Sequence, residues 1–198
     1  MSDVVEIARK AIEIEIESLK ELLARLDEQF ERAVEYVLSC RGKVIFTGMG
    51  KSGHIGRKLA ATFASTGTPA FFVHPAEGVH GDSGMITKDD LVIAISNSGE
   101  TAELLGLLAV VRTIGAPVIA MTGRRDSTLA RNAVAALDIG VRREADPLNL
   151  APTASAAATL AMGDALAVAV MTKKGFTKED FGRFHPGGAL GQQLRGAS

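Results

Sequence analysis

The chain has 198 residues, 46% of them apolar and 23% charged, with a formal net charge of −1. That is enough for one domain with a substantial core, in the ordinary balance of a soluble globular protein. The lack of a basic excess argues against nucleic acid as a partner. No apolar run reads as reaching the roughly 18–20 residues of a membrane span. Met1-Ser2-Asp3 leads into charged residues with no secretory pattern. Cys40 is the only cysteine and lacks the paired spacing of a disulfide or zinc site, so the expected setting is a reducing cytoplasm.

From Val4 to Cys40 the chain reads as one long helix almost free of breakers. Ile12, Ile16, Leu19, Leu23, Leu26, Phe30, Ala33 and Val37 recur at steps of four and three, a 3.5-residue seam suited to packing against other helices. Residues 1–41 are therefore expected to form a helical segment serving oligomerisation, with Gly42 as its left-handed stop. Short apolar runs then alternate with helical stretches. Strands are expected at 44–47, 70–73, 91–95, 118–121 and 136–139, and helices at 52–65, 101–114, 127–132 and 153–174. The segment 74–84 reads as a loop, and the tail from Gly182 as Gly-rich. Strands without polar alternation are buried on both faces. Residues 42–198 thus predict a three-layer α/β/α sandwich on a five-stranded parallel sheet of the doubly wound kind.

Two strand-to-helix turns carry chemistry. Gly48-Met49-Gly50-Lys51-Ser52-Gly53 satisfies G-x-G-x-x-G, but Val73-His74-Pro75 stands where a dinucleotide site needs an acid. A phosphate P-loop fails too, because its leading glycine would be Ile45. What survives is a close-approach turn at a helix N-terminus, with Lys51 and Ser52 beside it. The second turn, Ser96-Asn97-Ser98-Gly99-Glu100-Thr101, brings three hydroxyls to a helix start at the end of the central strand. A helix cap explains one hydroxyl, not three around a glycine. This loop predicts a phosphate held by Ser96, Ser98 and Thr101. The other ionisable candidates also fall on loops: His74, Glu77, His80, Asp82, Glu103, Glu144 and His185. A metal site from His74, His80 and Asp82 is conceivable, but nothing fixes its spacing, and no required metal is expected.

Gly48–Lys58, Phe71–Pro75, Glu77 with His80-Gly81-Asp82, Ala94–Glu100, Ala151-Pro152-Thr153, Met162–Ala165 and Phe184-His185-Pro186-Gly187-Gly188-Ala189-Leu190-Gly191 closely resemble the arabinose-5-phosphate isomerases of the SIS (sugar isomerase) domain superfamily. The resemblance runs from about residue 40 to 194. It implies a cytoplasmic isomerase interconverting D-ribulose 5-phosphate and D-arabinose 5-phosphate, the first step toward 3-deoxy-D-manno-octulosonate for lipopolysaccharide, with no cofactor and a homotetrameric assembly. The family's catalytic residues fall on Lys51, Glu103, Glu144 and His185, and its substrate-side residues include Gly67, Thr68, His74 and His80. Some members are inhibited by zinc, for which His74 is a possible contact. Many members continue into a pair of CBS-type domains that this sequence does not include, so control through them is not expected here.

The implied reaction moves a proton between C1 and C2 through an enediol. Glu144 is the expected base, tuned toward neutrality by partial desolvation. Lys51 is expected to stabilise the enediolate oxygen or anchor the phosphate, Glu103 to orient Lys51 or a hydroxyl, and His185 to serve ring opening or proton return from a neighbouring subunit. The alternatives are another SIS isomerase, acting on sedoheptulose 7-phosphate or a hexulose 6-phosphate, and a non-catalytic sugar-phosphate sensor.

Overall fold

The computed structural model describes residues 3–185. Its first helix, α1 (Asp3–Ala24), stops where the seam predicts continuation, and α2 spans Glu28–Ser39. Asp27 makes the break. Its extended backbone and its carboxylate, which accepts the Gln29 N–H at 3.0 Å, form an N-cap that starts a new helix. Arg125 clamps the same carboxylate at 3.0 Å, and Arg25 donates to the Gly140 carbonyl. The elbow is thus fastened to the end of the sheet. The seam is split by this break. Ala33 and Val37 are buried and Leu19 and Phe30 half-buried, while Ile12, Ile16, Leu23 and Leu26 face solvent. Gly42 is not the left-handed stop expected; α2 ends on an extended Cys40, and the bare Gly42 leaves room for Asp90.

Five strands follow: β1 (Val44–Gly48), β2 (Ala70–Phe72), β3 (Leu91–Ile95), β4 (Val118–Thr122) and β5 (Ala135–Asp138). All pair in parallel, in the order β2-β1-β3-β4-β5. β1, β3 and β4 are buried throughout, as their unbroken apolar runs require. One face carries α1, α2, α3 (Gly50–Ser65) and α7 (Ala154–Lys173) over a core that includes Phe46, Phe63, Ile93, Ile95 and Leu166. The other carries α4 (Pro75–Val79), α5 (Ala102–Ile114) and α6 (Thr128–Arg131) over Ile45, Val92, Ala94, Leu107 and Val111. The expected three-layer α/β sandwich is the observed fold.

Three elements depart from the reading. The segment read as a loop contains α4 and a 3-10 turn, Asp82–Met85, because Pro75 opens a helical turn at its first position. Helix α8 (Lys178–Phe184), started by a reciprocal capping box between Thr177 and Asp180, precedes the Gly-rich tail and runs into its first residues. Helix α7 is long and apolar enough to cross a membrane by length and composition, with mean hydropathy 1.6, but half of it is buried in the protein. Alanine and glycine let it approach α3 closely; a Cβ on Gly163 would collide with Leu59. Within the motif Phe184–Gly191, residues 186–191 lie outside the described residues.

Candidate functional site

The order β2-β1-β3 reverses between β1 and β3, and in open α/β sheets the crevice outside that point receives ligands. Both chemical turns open into it: the turn after β1 begins α3, and the Ser96–Thr101 loop after β3 begins α5. Gly48 and Gly53 have a packing reason, since a Cβ on Gly53 would lie 2.6 Å from the Gly48 carbonyl oxygen, and Gly50 a backbone one, its φ being +52°. Lys51 has no such reason. It stands on the first turn of α3, exposed, at the positive end of the helix dipole where a cation is unfavourable. An anionic ligand would account for it.

The serine loop is locked before any ligand arrives. Ser96, almost wholly buried, accepts the Gly99 N–H at 3.0 Å and lies 2.9 Å from the Thr101 hydroxyl and 3.4 Å from that of Ser98. The Ser98 hydroxyl accepts the Glu100 N–H at 3.2 Å. Glu100 turns away and accepts the Thr128 N–H at 2.7 Å, and that bond with its neighbours holds its carboxyl below its ordinary range. Thr101 is the N-cap of α5, yet its side chain makes no capping bond. Neither does that of Met49 before α3. Two helix N-termini therefore offer first-turn N–H groups to one crevice.

A third helix start closes the crevice. A cleft of about 220 Å³ is lined by Lys51 and Ser52, Asn97 of the serine loop, and Pro152, Ser155 and Thr159 at the head of α7. Asn97, Ser155 and Thr159 were missed as site residues. The available signal was Pro152-Thr153 ahead of an Ala-rich helix, which marks a helix start but not its direction in space. The head of α7, unlike those of α3 and α5, is plugged by the chain itself. Glu144 Oε2 accepts from Thr153 N at 2.8 Å, Thr153 Oγ1 at 3.1 Å and Ser155 N at 3.1 Å. Partial burial pushes the Glu144 carboxyl up, but the bonds from Ser155 and Thr153 together outweigh it and leave the group below its ordinary value. The expected tuning toward neutrality is thus reversed: at neutral pH Glu144 is an ionised, firmly oriented carboxylate.

The remaining candidates spread out. Glu103 is exposed on the first turn of α5, outside the cleft lining. His74 and His80 flank α4 beyond the end of β2; His80 is exposed, and the His74 Nδ1 is buried without a partner among the described residues. His74, His80 and Asp82 do not converge on a metal position, and no group of three or more His, Cys, Asp or Glu among the described residues does. Gly67 and Thr68 lie elsewhere. They precede β2, at the amino edge of the sheet, where Lys174 reaches the Thr68 hydroxyl at 2.8 Å and a Cβ on Gly67 would meet the Phe176 ring at 2.6 Å. His185 belongs to that edge too. It stacks on Phe181 at 3.9 Å at the end of α8, whose Phe184 stacks on Phe176. About 15 Å of strand separates the two edges. A larger groove, about 500 Å³ between α5 and β4, includes Leu105, Arg112 and Val134 in its lining and contains none of these candidates.

Comparison with known proteins bears on this geometry. A family model described as SIS domain matches residues 37–169. The arabinose 5-phosphate isomerase KdsD of Pseudomonas aeruginosa is 54% identical over 97% of this chain and 59% of its own length. That of Escherichia coli K12 is 55% identical over 97% of this chain and 58% of its own length. The chain therefore spans about three-fifths of these curated relatives. An Escherichia coli CFT073 protein solved in complex with arabinose 5-phosphate aligns with a TM-score of 0.90 and 46% identity, covering 94% of this chain and 100% of that one.

Proposed function

The chain belongs to the SIS domain family, and from that premise we propose that it interconverts D-ribulose 5-phosphate and D-arabinose 5-phosphate. The observation that carries the reading is the relative solved with arabinose 5-phosphate, whose whole length aligns with this chain. The local geometry supports it. A sugar phosphate would set its phosphate on Ser96, Ser98 and Thr101 at the open N-terminus of α5. Lys51 and Ser52 close the opposite wall.

In the aldose-to-ketose direction a base removes the C2 proton, the electron pair shifts to the C1–C2 bond, and negative charge develops on the C1 oxygen. Return of that proton to C1 and transfer of the C2 hydroxyl proton to the C1 oxygen complete the ketose, so no redox partner is consumed. Lys51 is the cation at hand for the developing oxyanion. Glu144 is the proposed base, already ionised at neutral pH. Its low basicity is offset by fixed orientation. Glu103 is assigned to a substrate hydroxyl. His185 is assigned to ring opening or oxygen-to-oxygen proton movement at the site of a neighbouring subunit, because its own cleft lies at the other edge. Gly67 and Thr68 would act from the same neighbouring edge. His74 and His80 are assigned to the sugar, with His74 the contact for an inhibitory zinc. The assembly proposed is a homotetramer in the cytoplasm, and the product would enter the route to 3-deoxy-D-manno-octulosonate.

A coupled assay for arabinose 5-phosphate formation from ribulose 5-phosphate, with and without chelator, tests the reading. Formation unaffected by chelator is expected. Turnover of sedoheptulose 7-phosphate or a hexulose 6-phosphate in its place would assign the cleft to another sugar, and tight binding without turnover would make the protein a sensor.

A further inference from the structure

The mechanism just proposed leaves open what decides how Glu144 presents itself. The carboxylate stands at the head of α7, nine residues before Thr153, and its chain segment is pinned at several points. Glu144 N donates to Asn149 Oδ1 at 2.7 Å, and Ala145 N donates to Thr153 Oγ1 at 2.7 Å. Asp146 gathers the N–H groups of Leu148, Leu150 and Ala151 at 2.7–2.8 Å. Asn149 holds a φ of 56° to close the loop, a left-handed backbone that asparagine tolerates better than most residues. The loop from Glu144 to Thr153 is a rigid frame with Glu144 at one end and α7 at the other.

Thr153 N, Thr153 Oγ1 and Ser155 N all converge on Oε2, and the Ser155 side chain also bonds the carboxyl. Ser155 also lines the cleft with Lys51 and Ser52, so one end of the cradle forms part of the cleft wall, while Glu144 and Thr153 are outside its lining. We infer that Thr153 and Ser155 are positioning residues: their backbone and side-chain donors fix the Glu144 carboxylate in one direction for the isomerisation. The inference rests on Glu144 acting in the isomerisation proposed above. It goes further by naming which side chains give the carboxylate its direction. The head of α7 is then occupied by the protein's own carboxylate and not by the substrate phosphate, which is left to α3 and α5.

The charged groups around Glu144 are few. Arg143 and Asp146 flank it in the chain, Asp146 already engaged by three N–H donors, and Lys51 shares the cleft with Ser155. The ionisation of Glu144 therefore reads the cradle more directly than it reads neighbouring charges.

The test compares the parent chain with Thr153→Val, Thr153→Ser and Ser155→Ala. The carbon-13 signal of the Glu144 carboxyl is followed against pH, assigned by its loss in Glu144→Gln, and paired with the pH profile of kcat for the pentose phosphates. Thr153→Val removes the hydroxyl with little change in shape. It is expected to move the carboxyl titration and the acid limb of kcat upward together, and to lower kcat at neutral pH about tenfold with KM little changed. Thr153→Ser should restore both. A Thr153→Val chain that is folded by circular dichroism and titrates like the parent would overturn the cradle, and so would a serine variant that fails to rescue. If the Thr153→Val chain is poorly folded, Ser155→Ala, which keeps the backbone N–H but removes the hydroxyl that also bonds the carboxyl, gives the same reading through the second arm. A titration that moves while the acid limb of kcat stays put would leave the cradle standing and remove Glu144 from the chemistry.

Discussion

Gly99 sits at the tightest point of the serine loop. Its φ is +67°, and a Cβ there would collide with the Ser127 side chain and come within 2.9 Å of Thr122 Oγ1. Ser127 cannot easily yield, because its hydroxyl accepts the Ala130 N–H and starts α6. Gly99→Ala therefore combines a left-handed backbone with a clash and should cost about 2 kcal/mol or more. That appears as a Tm lower by roughly 4–8 °C and a raised KM for the sugar phosphate, both measurable on the purified variant. A parental Tm would mean that the loop is not locked as described. Titration of the nearby carboxyls gives a second residue-level expectation. Glu144 and Asp146 are both held below their ordinary values, in each case with burial opposing and hydrogen bonds prevailing. A lowered folded-state value means the unfolded chain takes up protons first as pH falls. Their contribution is fully present above pH of roughly 4–5 and disappears as pH drops through the folded values. Thermal melts from pH 7 down to 3 should show this loss, and Glu144→Gln with Asp146→Asn should flatten it. The hydroxyl loop was legible in the sequence because its donors are neighbours in the chain. Asn97, Ser155 and Thr159 were not, because what makes them cleft residues is the meeting of α3, the loop after β3 and α7, with α3 and α7 more than a hundred residues apart. The direction of the Glu144 shift was misread for the same cause, its donors lying nine and eleven residues downstream.

At the scale of elements, the strands were readable nearly to the residue, since a strand buried on both faces leaves an unbroken apolar run between glycines and prolines. The helices were less so. The 3.5-residue seam continues across Arg25-Leu26-Asp27, and periodicity alone cannot see that Asp27 caps a new helix once Arg125 and Asp138 arrive from the far end of the sheet. Local capping signals were decisive again in α8, where Thr177 and Asp180 start a helix just ahead of the Gly-rich tail. The elbow also protects the edge of the sheet. Gln29, held by Asp27, accepts the Ala136 N–H of edge strand β5 at 3.3 Å, which satisfies a donor that would otherwise invite another strand. Asp27→Ala removes the cap and one arm of the Arg125 clamp. A loss of about 1 kcal/mol is expected, a Tm lower by roughly 2–4 °C, with kcat unchanged because the elbow touches no cleft residue. Lost activity at unchanged stability would instead tie the elbow to the site.

At the scale of the whole molecule, the expected site residues divide between the two edges of the sheet. Lys51, Ser96, Ser98, Thr101 and Glu144 stand at the carboxyl edge, and Gly67, Thr68 and His185 at the amino edge. One chain cannot bring Gly67 and Thr68 to the crevice without dismantling the sheet, nor His185 unless α8 leaves its place. A second copy can, if its amino edge meets the first copy's crevice. Helix α1 offers a further surface for assembly. Its Ile12, Ile16 and Leu23 are 58%, 47% and 70% exposed in the single chain, on a helix that buries only Ser18 and Leu22. Apolar positions at this spacing are what a helix–helix interface uses. Ile12→Lys with Ile16→Lys should therefore dissociate the proposed assembly in light scattering and abolish the proposed turnover while leaving the circular dichroism spectrum of each chain intact. Co-expression of Lys51→Ala with His185→Ala, each inactive alone, separates assembly from site sharing. Random pairing of the two chains would rebuild an intact crevice in mixed pairs and return roughly a quarter of parental activity. If nothing returns from verified mixed assemblies, His185 serves its own chain, and α8 must then leave the amino edge to reach the cleft.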